Sequence, residues 1–249
     1  EAMATYDETD KILFSADAFG SFGGFDGNIF DDEIKDEYFA EARRYYTNIV
    51  GKFGASVLAV LAKCEGLDIK LICPLHGVIW QKNIGKILEK YAIWAAFKPE
   101  EKAVVIVYAS IYGHTENACD LLAFNLVKKG VKNVKIYDVS KTDISVLVSE
   151  AFRASHLVVA SVTYNGGIFG KMEAFLQDLK AHNFQNRTVA VMENGTWAAS
   201  SARQIKEIFA SCKALTVLEE TVSIKSALKQ EQMCQIDGLA EKIKEDINL

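Results

Sequence analysis

The chain has 249 residues, half of them hydrophobic, enough for one large domain or two ordinary ones with buried cores. Its 28 basic and 33 acidic residues give a net charge of −5, and no basic run is interleaved with aromatics, which excludes a nucleic-acid surface as the main function. Five cysteines without C-x-x-C spacing read as reduced thiols of a cytoplasmic protein, and no apolar run is expected to reach the roughly 20 residues of a membrane span.

In chain order, Asp7 to Asp10 is a polar turn and Lys11 to Phe14 a short strand. Asp17 to Gly27 follows, with four glycines among three phenylalanines, a backbone that bends tightly. Asp31 or Asp32 is expected to cap a helix whose apolar positions Ile34, Tyr38, Tyr45 and Ile49 recur at helical spacing. A second helix spans Ala55 to Lys63, and Ile69 to Cys73 is a buried strand halted by Pro74 and pointing at His76. A third helix runs from Asn83 to Phe97. Lys98 to Lys102 is a charged, proline-bearing stretch, so residues 1–98 and 103–249 read as two domains joined by a linker at 99–102.

Beyond the linker, strand and helix alternate. Strands are expected at Val104–Tyr108, Val134–Val139, Leu157–Ala160, Val189–Met192 and Leu215–Leu218, with helices between them and a final helix from Gln230 to Ile247. Five strands separated by helices require right-handed crossovers, hence an α/β, doubly wound parallel sheet covered on both faces. Ligands of such sheets bind beyond the carboxyl ends of the strands.

Three loops lie at those ends. Ser110, Ile111, Tyr112, Gly113, His114 and Thr115 form a turn into a helix N-terminus, whose amides and dipole suit a phosphate monoester, with Ser110 and Thr115 adding hydroxyls. The same residues also read as an ordinary helix start, with Thr115 as N-cap. No P-loop or dinucleotide glycine pattern is present. After the third strand, Ser161 to Gly170 holds Thr163, Tyr164, Asn165, Gly166 and Gly167, where paired glycines let the backbone approach a flat ring. After the fourth, Asn194, Gly195 and Trp197 bring an indole to the same edge. Each aromatic loop alone reads as surface packing; together the three describe a nucleotide with one phosphate and a large planar ring.

These segments, S-x-x-G-x-T-E, S-x-T-Y-N-G-G-I-F-G and N-G-T-W, resemble flavodoxin-type FMN-binding domains over residues 103–249. The resemblance implies Ser110 to Thr115 at the phosphate. It places Thr163, Tyr164, Asn165, Gly166, Gly167, Asn194, Gly195 and Trp197 around the isoalloxazine.

The N-terminal third is similar to flavodiiron proteins in three segments: Leu13 to Gly20, Glu41 to Ile49, and Cys73 to Trp80. In that family a metallo-β-lactamase-like αββα domain with two irons precedes the flavodoxin-like domain. The resemblance implies that Asp17 is a bridging carboxylate and His76 a terminal ligand. The family's H-x-E-x-D-H run does not occur in this chain, which is therefore expected to be the C-terminal portion of such a protein, with an incomplete diiron site. The resemblance further implies reduction of oxygen to water or nitric oxide to nitrous oxide. Electrons would come from a rubredoxin-like or flavin-reductase donor and pass from FMN to iron across a head-to-tail homodimer. A stand-alone flavodoxin-like carrier or quinone reductase would leave Asp17 and His76 unexplained. A phosphate-responsive receiver would need acids where Ser110 and Ser161 stand.

Overall fold

A computed structural model describes residues 3–24, 27, 29–35 and 37–248; Phe25 and Asp26 of the glycine-rich stretch lie outside the described residues. The chain divides into two compact units, Glu1–Lys98 and Pro99–Leu249.

In the first unit, β1 (Thr5–Asp7) pairs antiparallel with β2 (Ile12–Ala16), which pairs in parallel with β3 (Leu71–Pro74). Helix α1 (Tyr38–Tyr45) continues through a π turn at Tyr46–Val50 and a 3-10 turn at Gly51–Phe53 into α2 (Gly54–Cys64); α3 is Ile84–Ala95. Leu13 and Ile72 of the sheet pack with Tyr46, Trp80, Tyr91 and Trp94 in an aromatic core. Two hydrogen bonds tie that core together: Phe19 N–H donates to the Tyr91 hydroxyl at 2.6 Å, and the Trp80 indole donates to the Phe19 carbonyl at 2.7 Å.

The expected helix capped by Asp31 or Asp32 does not begin there. Asp31–Glu33 is a single 3-10 turn, and α1 starts at Tyr38. The buried Asp31 carboxylate instead accepts the backbone N–H groups of Gln81, Lys82 and Asn83 at 2.7–3.0 Å, tying down the turn that leads into α3, 50 residues away. The expectation about membrane-length runs also needs correction. The consecutive helical turns over Tyr38–Cys64, 27 residues, are long and apolar enough to span a membrane by length and composition alone. Within that run Phe39, Ala42, Tyr45 and Tyr46 are buried in the first unit.

The second unit follows the expected alternation. It comprises β4 (Glu101–Ala109), α4 (His114–Lys128), β5 (Val134–Asp138), α5 (Ile144–Arg153) and β6 (Ala154–Tyr164). Then come β7 (Gly167–Ile168), α6 (Gly170–Ala181), β8 (Arg187–Asn194), α7 (Ser201–Ala210), β9 (Leu215–Ile224) and α8 (Gln230–Asn248). The main sheet runs β5-β4-β6-β8-β9, all parallel. Every residue of β4 from Ala103 to Ala109 is buried, as a strand covered on both faces requires. Val104, Ile106 and Tyr108 pack with α4 and α8, while α5, α6 and α7 cover the other face.

Strands are longer than the sequence suggests. Glu101 and Lys102, read as linker, already belong to β4. β6 continues through Ser161–Tyr164 and β8 through Glu193–Asn194, so these are strand ends and not loops. β9 runs past Leu218 through Glu219 and Glu220, with a register shift against β8; as a sheet edge it carries charges that a central strand would not.

At the other end of the sheet the His156 ring is buried, bonded through Nε2 to Asp246 of α8 at 2.8 Å and through Nδ1 to Ser155 Oγ at 2.9 Å. The Thr188 hydroxyl donates to the same Asp246 oxygen at 2.7 Å. Burial pushes the His156 pKa below its ordinary value, against the pull of Asp246. The unfolded chain therefore takes up this proton first as pH falls. The contribution of His156 is full while the ring is neutral above its unfolded pKa and is lost as pH falls through the lower folded value. Denaturant unfolding of the second unit should weaken from pH 7 to 5, and His156→Gln should flatten that slope.

Candidate functional site

Strand register assembles the site. Ala109 of β4 pairs with Ser161 of β6, Val162 pairs with Asn194 of β8, and Asn194 pairs with Ile224 of β9. The three chain reversals expected to hold a ligand thus leave the sheet side by side.

The first reversal is built around Gly113, whose φ of +83° favours glycine. Its N–H donates to Ser110 Oγ at 3.1 Å, closing the turn. Helix α4 begins at His114 with Gly113 in the N-cap position and no side-chain cap, so Thr115 lies inside the helix, buried, and is not its cap. A helix start without a side-chain cap, preceded by a tight turn, offers amides and a positive dipole end to an anion. Ser110 is half-buried, His114 is half-buried, and Ile111 and Tyr112 are exposed. Behind the turn the Tyr108 hydroxyl donates to Glu116 Oε1 at 2.7 Å. Burial and that carboxylate raise the Tyr108 pKa, so the phenol remains a neutral donor.

The second reversal is a two-residue hairpin between β6 and β7, pairing Thr163 with Ile168 and Tyr164 with Gly167. Asn165 and Gly166 both have positive φ, +50° and +74°, the left-handed pair that such tight hairpins need. Tyr164 is half-exposed and meets Phe169 edge-on at 6.0 Å. In the third reversal, Gly195 N–H donates to Ile224 O at 3.0 Å, and Trp197 projects with 95% of its surface exposed. An indole so exposed at a strand-end edge offers a flat face on which an aromatic ligand can stack.

Two side chains expected at the ring serve the framework. The Asn194 amide donates to Ser226 O and accepts from Ser226 N, both at 3.0 Å, anchoring the segment after β9. The Thr163 hydroxyl accepts the N–H groups of Ser200 and Ser201 at 3.0 and 3.4 Å, capping α7. The sequence reading missed Ser200, Ser201, Gln204 and Glu193. The buried Glu193 carboxylate accepts from Ala202 N and Ser223 Oγ, both at 2.8 Å. The Ser200-Ser201 pair was the available signal, since serines favour helix starts.

In the first unit, Ala16 pairs with Pro74, so the turns after β2 and β3 lie together. His76 Nε2 lies 3.8 Å from Asp17 Oδ1, and the Tyr45 hydroxyl donates to the same oxygen at 3.1 Å. Burial, and then the Asp17 carboxylate, push the Tyr45 pKa up to about 12. The structure thus brings the two proposed metal ligands together. Among the described residues, no group of three or more His, Cys, Asp or Glu side chains is arranged to hold a metal ion. Two donors do not fill the coordination of an iron pair, so Asp17 and His76 alone do not fit a diiron centre.

The family model described as "Flavodoxin" matches residues 106–247, more than half the chain. An uncharacterized protein of Methanocaldococcus jannaschii is 35% identical over 93% of this chain and 58% of its own length. The anaerobic nitric oxide reductase flavorubredoxin of Pectobacterium carotovorum is 30% identical over 83% of this chain and 41% of its own. The structure of rubredoxin oxygen:oxidoreductase from Desulfovibrio gigas matches with a TM-score of 0.91 and 26% identity, over 99% of this chain and 62% of that one. Solved flavodiiron proteins match 98% of this chain. The chain spans about 40–60% of the length of these proteins. It belongs to the flavodoxin family, in the form found in flavodiiron proteins.

Proposed function

We propose that this chain relays electrons through bound FMN within a flavodiiron oxidoreductase that reduces oxygen to water or nitric oxide to nitrous oxide. The observation that carries the reading is the alignment of three strand ends, one opening into an uncapped helix start and two presenting exposed Tyr164 and Trp197. Ser110 to Thr115 hold the phosphate. Tyr164, Asn165, Gly166, Gly167, Gly195 and Trp197 face the ring, with Thr163 and Asn194 fixing the turns that carry them. Bound FMN supplies one- and two-electron transfer, and the protein supplies position and electrostatics.

The names of the relatives, an oxygen oxidoreductase using rubredoxin and a nitric oxide reductase, support the substrate class and a rubredoxin-like donor, with a flavin reductase as the other candidate. Residues 1–98 form part of a diiron domain, which Pro99 and Glu100 join to an FMN domain whose first strand begins at Glu101. Asp17 and His76 contribute two of the metal ligands, and the enzyme acts as a head-to-tail homodimer in the cytoplasm. The experiment is a titration of the purified chain with FMN. Saturable quenching of flavin fluorescence is expected, and a colourless protein that takes up no FMN overturns the reading. Trp197→Ala should weaken FMN binding by about 1 kcal/mol, roughly fivefold, by removing one stacking face. Unchanged affinity would place the indole away from the ring.

A further inference from the structure

The two reversals expected at the ring are not independent. The Thr163 hydroxyl of the hairpin accepts from the first amides of α7, and in the opposite direction α7 reaches back to the hairpin. Ser200 Oγ donates to the Gly166 carbonyl at 2.9 Å, and Gln204 Nε2 donates to the same oxygen at 3.0 Å. Ser200 and Gln204 stand one helical turn apart, which lets both side chains converge on one acceptor. Gly166 is exposed and left-handed, in a turn with no core of its own, so two bonds on one carbonyl fix the orientation of its peptide. Ser200 also ends the segment that carries Trp197. Hairpin and tryptophan loop therefore hang from the first turn of α7 as one body, whereas the phosphate turn is closed by its own Ser110–Gly113 bond.

We propose that Ser200 and Gln204 are positioning residues for the flavin ring, latching the Asn165–Gly166 turn to α7. The proposal rests on the FMN reading. With the latch in place the turn is ordered before the ligand arrives, so binding does not carry that ordering cost. The ring half of the ligand feels the latch and the phosphate half does not.

The test compares dissociation constants for FMN and riboflavin on the full chain. Ser200→Ala and Gln204→Met, the latter keeping the side chain's length without the donor, should each weaken both flavins about fivefold, one hydrogen bond's worth. The ratio between the two flavins should stay at the wild-type value, and Ser200→Thr, which keeps the hydroxyl, should restore binding. Ser110→Ala should weaken FMN and spare riboflavin. Thermal unfolding of the flavin-free Gln204→Met chain should lie close to wild type, because the bond it loses lies at an exposed turn that can loosen without unfolding the unit. That variant carries the test if Ser200→Ala fails to fold. Wild-type affinity in both variants, or a loss confined to FMN, overturns the proposal while the FMN reading stands. A wild-type chain that binds neither flavin overturns both.

Discussion

Asp31→Ala should destabilise the first unit by about 3 kcal/mol, because three backbone N–H groups of the turn leading into α3 lose their acceptor in a buried place. The carboxylate also accepts from the Asn83 amide at 3.0 Å, so four donors depend on it. Trp80 and Trp94 are buried in that unit and Trp197 is exposed in the other, so a shift of the buried tryptophan emission reports the first unit's unfolding. The charge matters as well as the shape. Burial raises the Asp31 pKa, but the hydrogen bonds from Lys82, Gln81 and Asn83 outweigh it and hold the carboxyl below its ordinary value. A lowered folded pKa means that the stabilisation is complete above the unfolded carboxylate range and disappears as pH falls through the folded value. The stability of the first unit should therefore fall more steeply through the acid range in the wild type than in Asp31→Ala, which is the less stable chain at neutral pH and lacks this step. Wild-type stability in the alanine variant would mean that solvent satisfies those amides.

Gly195→Ala acts on the other unit and on the ligand. A Cβ at this position would lie 2.8 Å from Ala199 Cα, 2.9 Å from Ala199 N and 3.0 Å from Ala198 O. All three are backbone atoms, which cannot swing aside as the tip of a long side chain would. The turn carrying Trp197 must open, at about 1–3 kcal/mol by the measure of overpacked cores. FMN affinity should fall about tenfold or more, and titration by flavin fluorescence reads it. Unaltered affinity would show that this turn closes independently of the ligand.

The five-stranded sheet was legible because buried parallel strands are continuous apolar runs, and Val104 to Tyr108 cannot be mistaken for a half-exposed strand. Strand ends were less legible. Thr163, Tyr164 and Glu193 are polar or aromatic residues at the sheet's rim, and their pairing is a property of neighbouring strands and not of local pattern. Asp31 misled for a related reason: an aspartate before a helical pattern reads as a local cap, yet its carboxylate holds a turn 50 residues on. The chain reversals at the strand ends were recognisable from their glycines and aromatics. Which side chains would face outward and which would be consumed by the framework, as Asn194 is by Ser226, depends on contacts that only the folded chain contains.

The turn after β4 and the loop after β8 leave one edge of the sheet and run into helices on its opposite faces. If they hold a flavin as proposed, the turn for its phosphate belongs to β4 and α4 and the tryptophan loop to β8 and α7, with β6 between them. Their separation is thus two inter-strand spacings, about 10 Å, fixed by backbone hydrogen bonds. The sheet works as a caliper. Substitutions that swell or shrink either helical layer tilt one jaw but leave the opening unchanged, so the length of ligand accepted should be far more resistant to mutation than the strength with which it is held.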